Sequence, residues 1–134
     1  MKAVFDTNIF VAAFVSEGIC ARLLRRARKK QVFLYTSTII LEEFQKVLSK
    51  KLSASPKEIK EALKLVEEAV EGVVEPSHEV LGVCRDADDD RILACALAVD
   101  AKYLVTGDED LLILKKYKGI RIVSPRDFEL LFAD

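Results

Sequence analysis

The stretch Arg85-Asp86-Ala87-Asp88-Asp89-Asp90-Arg91-Ile92-Leu93-Ala94-Cys95-Ala96-Leu97, followed by Tyr103-Leu104-Val105-Thr106-Gly107-Asp108, decides how the rest of the chain is read. Four carboxylates in five residues run directly into an apolar segment. Ile92, Leu93, Ala96 and Leu97 fall on one helical face, so the segment predicts a helix with a buried stripe, reaching about Val99. Tyr103 to Val105 then predicts a short buried strand, and Gly107 a turn before Asp108. Acid at the ends of buried elements is costly unless something compensates it.

The same alternation extends outward in both directions. Ala3 to Phe5 predicts a strand, and Ile9 to Val15 a helix capped by Thr7 or Asn8. A second helix is expected from Glu17 to Gln31, then a strand over Val32 to Tyr35. Ser37 is placed to cap a helix running to about Leu52. Ser55-Pro56-Lys57-Glu58 combines a cap, a first-turn proline and a capping-box glutamate, opening a helix that ends near Gly72, with a short strand at Val73-Val74. On the C-terminal side, a short helix from Leu111 to Lys115 and a strand from Ile120 to Val123 precede Ser124-Pro125, which starts a closing helix over Phe128 to Phe132. Strands and helices alternating without a repeat or linker predict one α/β domain over residues 1–134 with a mostly parallel sheet.

Composition bounds the function without naming it. The chain has 134 residues and a formal charge of -1, so any basic footprint for nucleic acid must be local. One such patch is the face carrying Arg22, Arg25, Arg26, Arg28, Lys29 and Lys30, which reads either as a grip for phosphates or as a solvated helix flank. Cys20, Cys84 and Cys95 lack metal-ligand spacing and are expected to be small buried hydrophobes in a reducing compartment. His78 has no acid or cysteine at ligand spacing and receives no role. Met1-Lys2 leads into only three apolar residues before Asp6, and no apolar run approaches membrane length, so a cytoplasmic location without membrane contact is expected.

The informative acids are those on core-facing positions. In the Ser37 helix the stripe is Ile40, Phe44, Val47 and Leu48; Glu43 occupies it, whereas Glu42 falls on the polar side. Asp89 precedes Ile92 and Leu93 by three and four residues and lies on the buried stripe, flanked by Asp88 and Asp90, while Asp86 precedes the helix. First-turn aspartates are also favourable as caps and dipole partners, which accounts for one or two acids but poorly for one pointing inward. Asp6 and Asp108 each follow a strand, where open parallel sheets bind ligands. Carboxylates converging on one sheet edge would repel and raise each other's pKa. A divalent cation relieves this, and an all-oxygen set favours Mg²⁺ or Mn²⁺ and hydrolysis of a phosphodiester.

These residues together carry a family resemblance. Val4-Phe5-Asp6-Thr7-Asn8, Ser37 through Glu43-Phe44, Asp86 through Ala94, and Thr106-Gly107-Asp108 are similar, in order and spacing, to the motifs of PIN-domain ribonucleases. The chain resembles in particular the VapC-like toxins of prokaryotic toxin–antitoxin systems. The resemblance implies a three-layer α/β/α sandwich and metal-dependent cleavage of RNA. It further implies a frequent homodimer and a cognate antitoxin that silences the site. It implies that Asp6, Glu43, Asp89 and Asp108 hold one or two Mg²⁺ or Mn²⁺ ions, with Thr7, Asn8 and Thr106 supporting them by hydrogen bonds. Asp90 stands in reserve for Asp89, and Asp110 either joins the metal set or caps a turn. The alternative is a non-catalytic or RNA-processing module that binds RNA or a protein partner. A phosphotransfer domain would want a lysine partner after a strand, and no clear lysine stands there.

Overall fold

The computed structural model describes residues 1–76, 80 and 82–132, so His78 lies outside the described residues. β1 (Lys2–Phe5) leads into α1 (Thr7–Val15) and α2 (Ile19–Arg28); β2 (Phe33–Ser37) leads into α3 (Thr38–Lys50) and α4 (Pro56–Ala69). Then come β3 (Val70–Val74), α5 (Ala87–Ala98), β4 (Tyr103–Val105), α6 (Glu109–Leu112), β5 (Lys116–Tyr117), β6 (Ile120–Val123) and α7 (Pro125–Glu129). The strands form one six-stranded sheet in the order β3-β2-β1-β4-β6-β5. Every pairing is parallel except the antiparallel β5–β6 hairpin. Helices cover both sides of this mostly parallel sheet, giving the three-layer α/β/α sandwich.

β1 sits in the middle, with Val4 opposite Tyr35 of β2 and Leu104 of β4. Ala3, Val4 and Phe5 are all fully buried, as a strand covered on both faces requires. On one face Phe5 packs against Phe10 of α1 and Phe128 of α7, Tyr103 also meets Phe128, and Phe10 meets Phe44 of α3. Each such aromatic pair adds about 0.5–1.5 kcal/mol beyond the area it buries. On the other face α5 lies against β1, β2 and β4, with Leu93, Cys95 and Ala96 buried beneath it.

Local chemistry sets most element boundaries. Ser37 accepts from the Ile40 N–H, and Ser55 and Glu58 form a reciprocal capping box behind Pro56. Ser124 likewise caps α7, which therefore occupies Pro125–Glu129 rather than starting at Phe128. Other expectations are corrected, among them the short helix after β4, which occupies Glu109–Leu112 rather than Leu111 to Lys115. Asp6, not Thr7 or Asn8, stands at the cap position of α1, so both lie inside its first turn. α2 is shorter than Glu17 to Gln31, spanning Ile19–Arg28, and β2 occupies Phe33–Ser37 rather than Val32 to Tyr35. α4 ends at Ala69 because β-branched Val70 already pairs with Leu34, so β3 starts well before Val73. β5 is an additional strand. Its two-residue turn puts both Lys118 and Gly119 at positive φ, 46° and 84°, the geometry of a hairpin whose twist matches its strands.

Candidate active site

All the core-facing acids come from elements that end or begin at the carboxyl edge of the parallel strands. Asp6 follows β1 and its N–H extends the ladder to the Val105 carbonyl at 2.9 Å. Asp108 follows β4 and caps α6, accepting the Asp110 N–H at 2.9 Å. Asp89 stands in the first turn of α5, and Glu43 on the inward stripe of α3. Asp6 and Asp89 are 5% and 6% exposed, which for carboxylates demands a physical reason.

Asp89, Asp108 and Asp110 each offer a carboxylate oxygen, all lying within 4.8 Å of one another. Asp6 is coupled by charge to Asp89 and Asp108 of this group, and Glu43 in turn to Asp6, Asp86 and Asp88. Thr106 binds two of the acids together. Its Oγ1 donates to Asp6 Oδ2 at 2.7 Å and accepts the Asp108 N–H at 3.0 Å. Thr7 Oγ1 donates to Glu43 Oε2 at 3.3 Å. Asn8 is exposed, and among the described residues its contribution is a backbone N–H near the Asp6 carboxylate.

Electrostatics show how crowded this edge is. Burial pushes Asp89 up to about 7, reinforced by the charges of Asp108, Asp6 and Asp86 and by a hydrogen bond to Asp108. Burial also raises Asp6, against the opposing bond from Thr106 and the nearby backbone N–H groups of Thr7 and Asn8. Glu43 is raised by burial, opposed by Thr7, and raised further by Asp88, Asp6 and Asp86. Three carboxylates thus hold protons more tightly than usual for want of positive charge. Hard oxygen donors within one ion's reach fit Mg²⁺ or Mn²⁺, and among the described residues neither His nor Cys joins the group.

Two reserve residues change places. Asp90, the stand-in for Asp89, is just as buried, but its two oxygens accept the Gly82 and Cys84 N–H groups at 3.0 and 2.8 Å. Asp110 belongs to the close group. Asp86 caps α5 through the Asp88 N–H at 2.9 Å, and its charge still reaches Asp89 and Glu43. The basic face of α2 lies elsewhere. Arg22, Arg25, Arg26, Arg28 and Lys30 each face a glutamate, namely Glu129, Glu17, Glu129, Glu68 and Glu71. The end of α2 leads into the start of β2, so this face adjoins the sheet edge opposite the acids. Sequence reading missed Arg85, whose Nη1 lies 3.8 Å from Asp110 Oδ1. Its position beside the acid run was the one available signal.

A profile of the PIN domain family matches residues 2–110, covering β1 through the acids after β4. The chain belongs to the PIN domain family. The PIN fold also accounts for the likeness to the crystal structure of VapBC2 from Rickettsia felis bound to a DNA fragment from their promoter. That likeness has a TM-score of 0.66 at 20% identity, covering 92% of this chain and 98% of the other. At that identity it is a likeness of fold. No curated protein matches the chain.

Proposed function

We propose that this PIN domain protein is a metal-dependent endoribonuclease that hydrolyses RNA phosphodiester bonds, acting as the VapC-like toxin of a toxin–antitoxin pair. The observation that carries the reading is the group of Asp89, Asp108 and Asp110 at the carboxyl edge of the sheet, coupled by charge to Asp6, which is coupled in turn to Glu43. Asp6, Asp89 and Asp108, with Asp110, would hold Mg²⁺ or Mn²⁺ there. When bound, such an ion supplies positive charge to a phosphate oxygen and lowers the pKa of water.

The chain's own residues do the rest. Thr106 holds the Asp6 carboxylate and the Asp108 backbone in fixed relation, so two acids from different strands keep one geometry. Glu43, bonded by Thr7 and with its proton affinity raised, would take the proton of the attacking water. Burial of Asp6 and Asp89 excludes bulk water from one side of the acids and strengthens their interactions.

The toxin assignment rests on the family and on a neighbour that is a VapBC complex. It brings the expectation of an antitoxin partner, a homodimer and a cytoplasmic location. The test is cleavage of a single-stranded RNA oligonucleotide with Mg²⁺ by antitoxin-free wild type, Asp6→Asn and Asp89→Asn. Wild-type cleavage abolished by a chelator and reduced ~100-fold or more in either variant is expected. Absence of metal-dependent cleavage by wild type, with RNA binding retained, would favour the non-catalytic module.

A further inference from the structure

Asp90 is the buried acid that the proposed chemistry leaves unused. It neighbours Asp89 on α5, yet the two carboxylates diverge, one toward Asp108 and Asp110 and the other toward residues 82–84. Among the described residues no lysine or arginine meets Asp90. Two backbone N–H groups satisfy it instead, at 3.0 Å from Gly82 and 2.8 Å from Cys84, so its charge is held by the loop it holds. Breaking either bond leaves a buried lone pair without a donor, which makes the arrangement close as a unit.

The loop leaves this latch at Cys84 and is fixed again two residues later, where Asp86 caps α5. Arg85 lies between the two anchors. Its backbone is therefore placed while its side chain is 85% exposed, with Nη1 3.8 Å from Asp110 Oδ1. A pair that long and that solvated holds its guanidinium weakly. The arginines of α2 face glutamates at the far edge of the sheet. Beside the acids themselves, the ion pairs among the described residues are Arg85 with Asp110 and Arg91 with Asp88.

We propose that Asp90 is a positioning residue that latches the 82–86 loop, and that the side chain it presents is Arg85, which binds an RNA phosphate at the rim of the acid edge. The proposal rests on the ribonuclease reading above. An acidic edge repels a polyanion, and a planar guanidinium on a fixed backbone offers two parallel N–H donors to one phosphate. RNA would replace the loose Asp110 contact, freeing that carboxylate as the backbone arrives. The thiol of Cys84 gives the latch its own reporter. Burial first, then the bond to Asp90 and neighbouring acids, push it up to about 12, which disfavours the reactive thiolate while Cys84 is held by Asp90.

Two measurements test the two halves. The first is iodoacetamide labelling of Cys84, read by peptide mass in metal-free and RNA-free protein, which needs no nuclease activity. Asp90→Asn, which can accept only one of the two N–H groups, is expected to label at least ~10-fold faster than wild type, while buried Cys95 stays unlabelled. Equal rates at Cys84 would overturn the latch; labelling of Cys95 as well would mark global unfolding, and Asp90→Glu then serves as the folded variant under the same criterion. The second is binding and cleavage of a fluorescein-labelled single-stranded RNA. Arg85→Ala, an exposed change, is expected to raise KM about 10-fold with kcat within about 3-fold, to lower the slope of log affinity against log salt by about 1, and to be partly rescued by Arg85→Lys. Combining Arg85→Ala with Asp90→Asn should add no further rise in KM. An unchanged KM and salt slope in Arg85→Ala would overturn the RNA contact. If wild type binds this RNA without cleaving it, the nuclease reading fails and the latch and contact are still decided by labelling and salt slope.

Discussion

Thr106 is the residue on which the acid edge turns, because one hydroxyl serves Asp6 as donor and Asp108 as acceptor. Thr106→Val keeps the shape and removes both bonds, so RNA cleavage should fall ~10–100-fold with little change in far-UV circular dichroism, and Thr106→Ser should recover most of it. Asp89 makes a prediction in pH. Its folded pKa of about 7 lies above its ordinary value of 3.8, so the metal-free native state holds a proton that the unfolded chain has lost. Stability without metal should therefore decline as pH rises from about 4 to 7 and level off above, with Asp6 and Glu43 contributing in the same direction. Asp89→Asn should flatten that decline and raise the metal-free melting temperature at pH 8 by ~4 °C, an effect on the order of 1 kcal/mol. Thermal scans across pH with and without Mg²⁺ check both; a profile that rises with pH in metal-free wild type would contradict them. Helical phase made Asp89 and Glu43 legible, since a carboxylate on an apolar stripe stands out in one dimension. It could not separate the duties of Asp89 and Asp90, because the partners of Asp90 are backbone groups of a loop with no periodic signal.

Among the elements, legibility follows the range of the interaction that ends each one. The Ser37, Ser55 and Ser124 caps close within three residues and were readable from spacing. The α4–β3 junction depends on Val70 finding Leu34 on another strand, and the β5 hairpin on a Lys-Gly turn that is not among the usual pairs. Ser55→Ala should cost ~1 kcal/mol in urea unfolding and leave cleavage unchanged, since α4 supplies none of the acids. Ser37→Ala should cost a similar ~1 kcal/mol yet also lower cleavage, because α3 carries Glu43 out of the same first turns. Equal effects of the two on activity would remove α3 placement from the account.

Across the whole molecule, sheet order was the part hidden from sequence: alternation announces a parallel sheet but does not say that β1 lies between β2 and β4. One long-range tie holds the far edge. Arg26, 8% exposed, meets Glu129 of α7 at 2.6 Å and stacks on the Phe132 ring at 4.4 Å. Glu129→Ala removes the carboxylate from that buried guanidinium, which keeps Gln31 as a neutral acceptor at 2.8 Å, and should cost roughly 3 kcal/mol by denaturant titration, whereas replacing Arg26 and Glu129 together by Met and Leu should cost much less. The central place of β1 has a consequence in the order of synthesis. One hundred residues separate Asp6 from the Thr106 that grips it, and β4 must be made before β1 is enclosed. At typical elongation rates that interval is on the order of ten seconds. Through it the emerging polypeptide carries Asp6 without Asp108 and Asp110, so the acid group proposed to hold the metal is completed only once the strand that encloses β1 has been made.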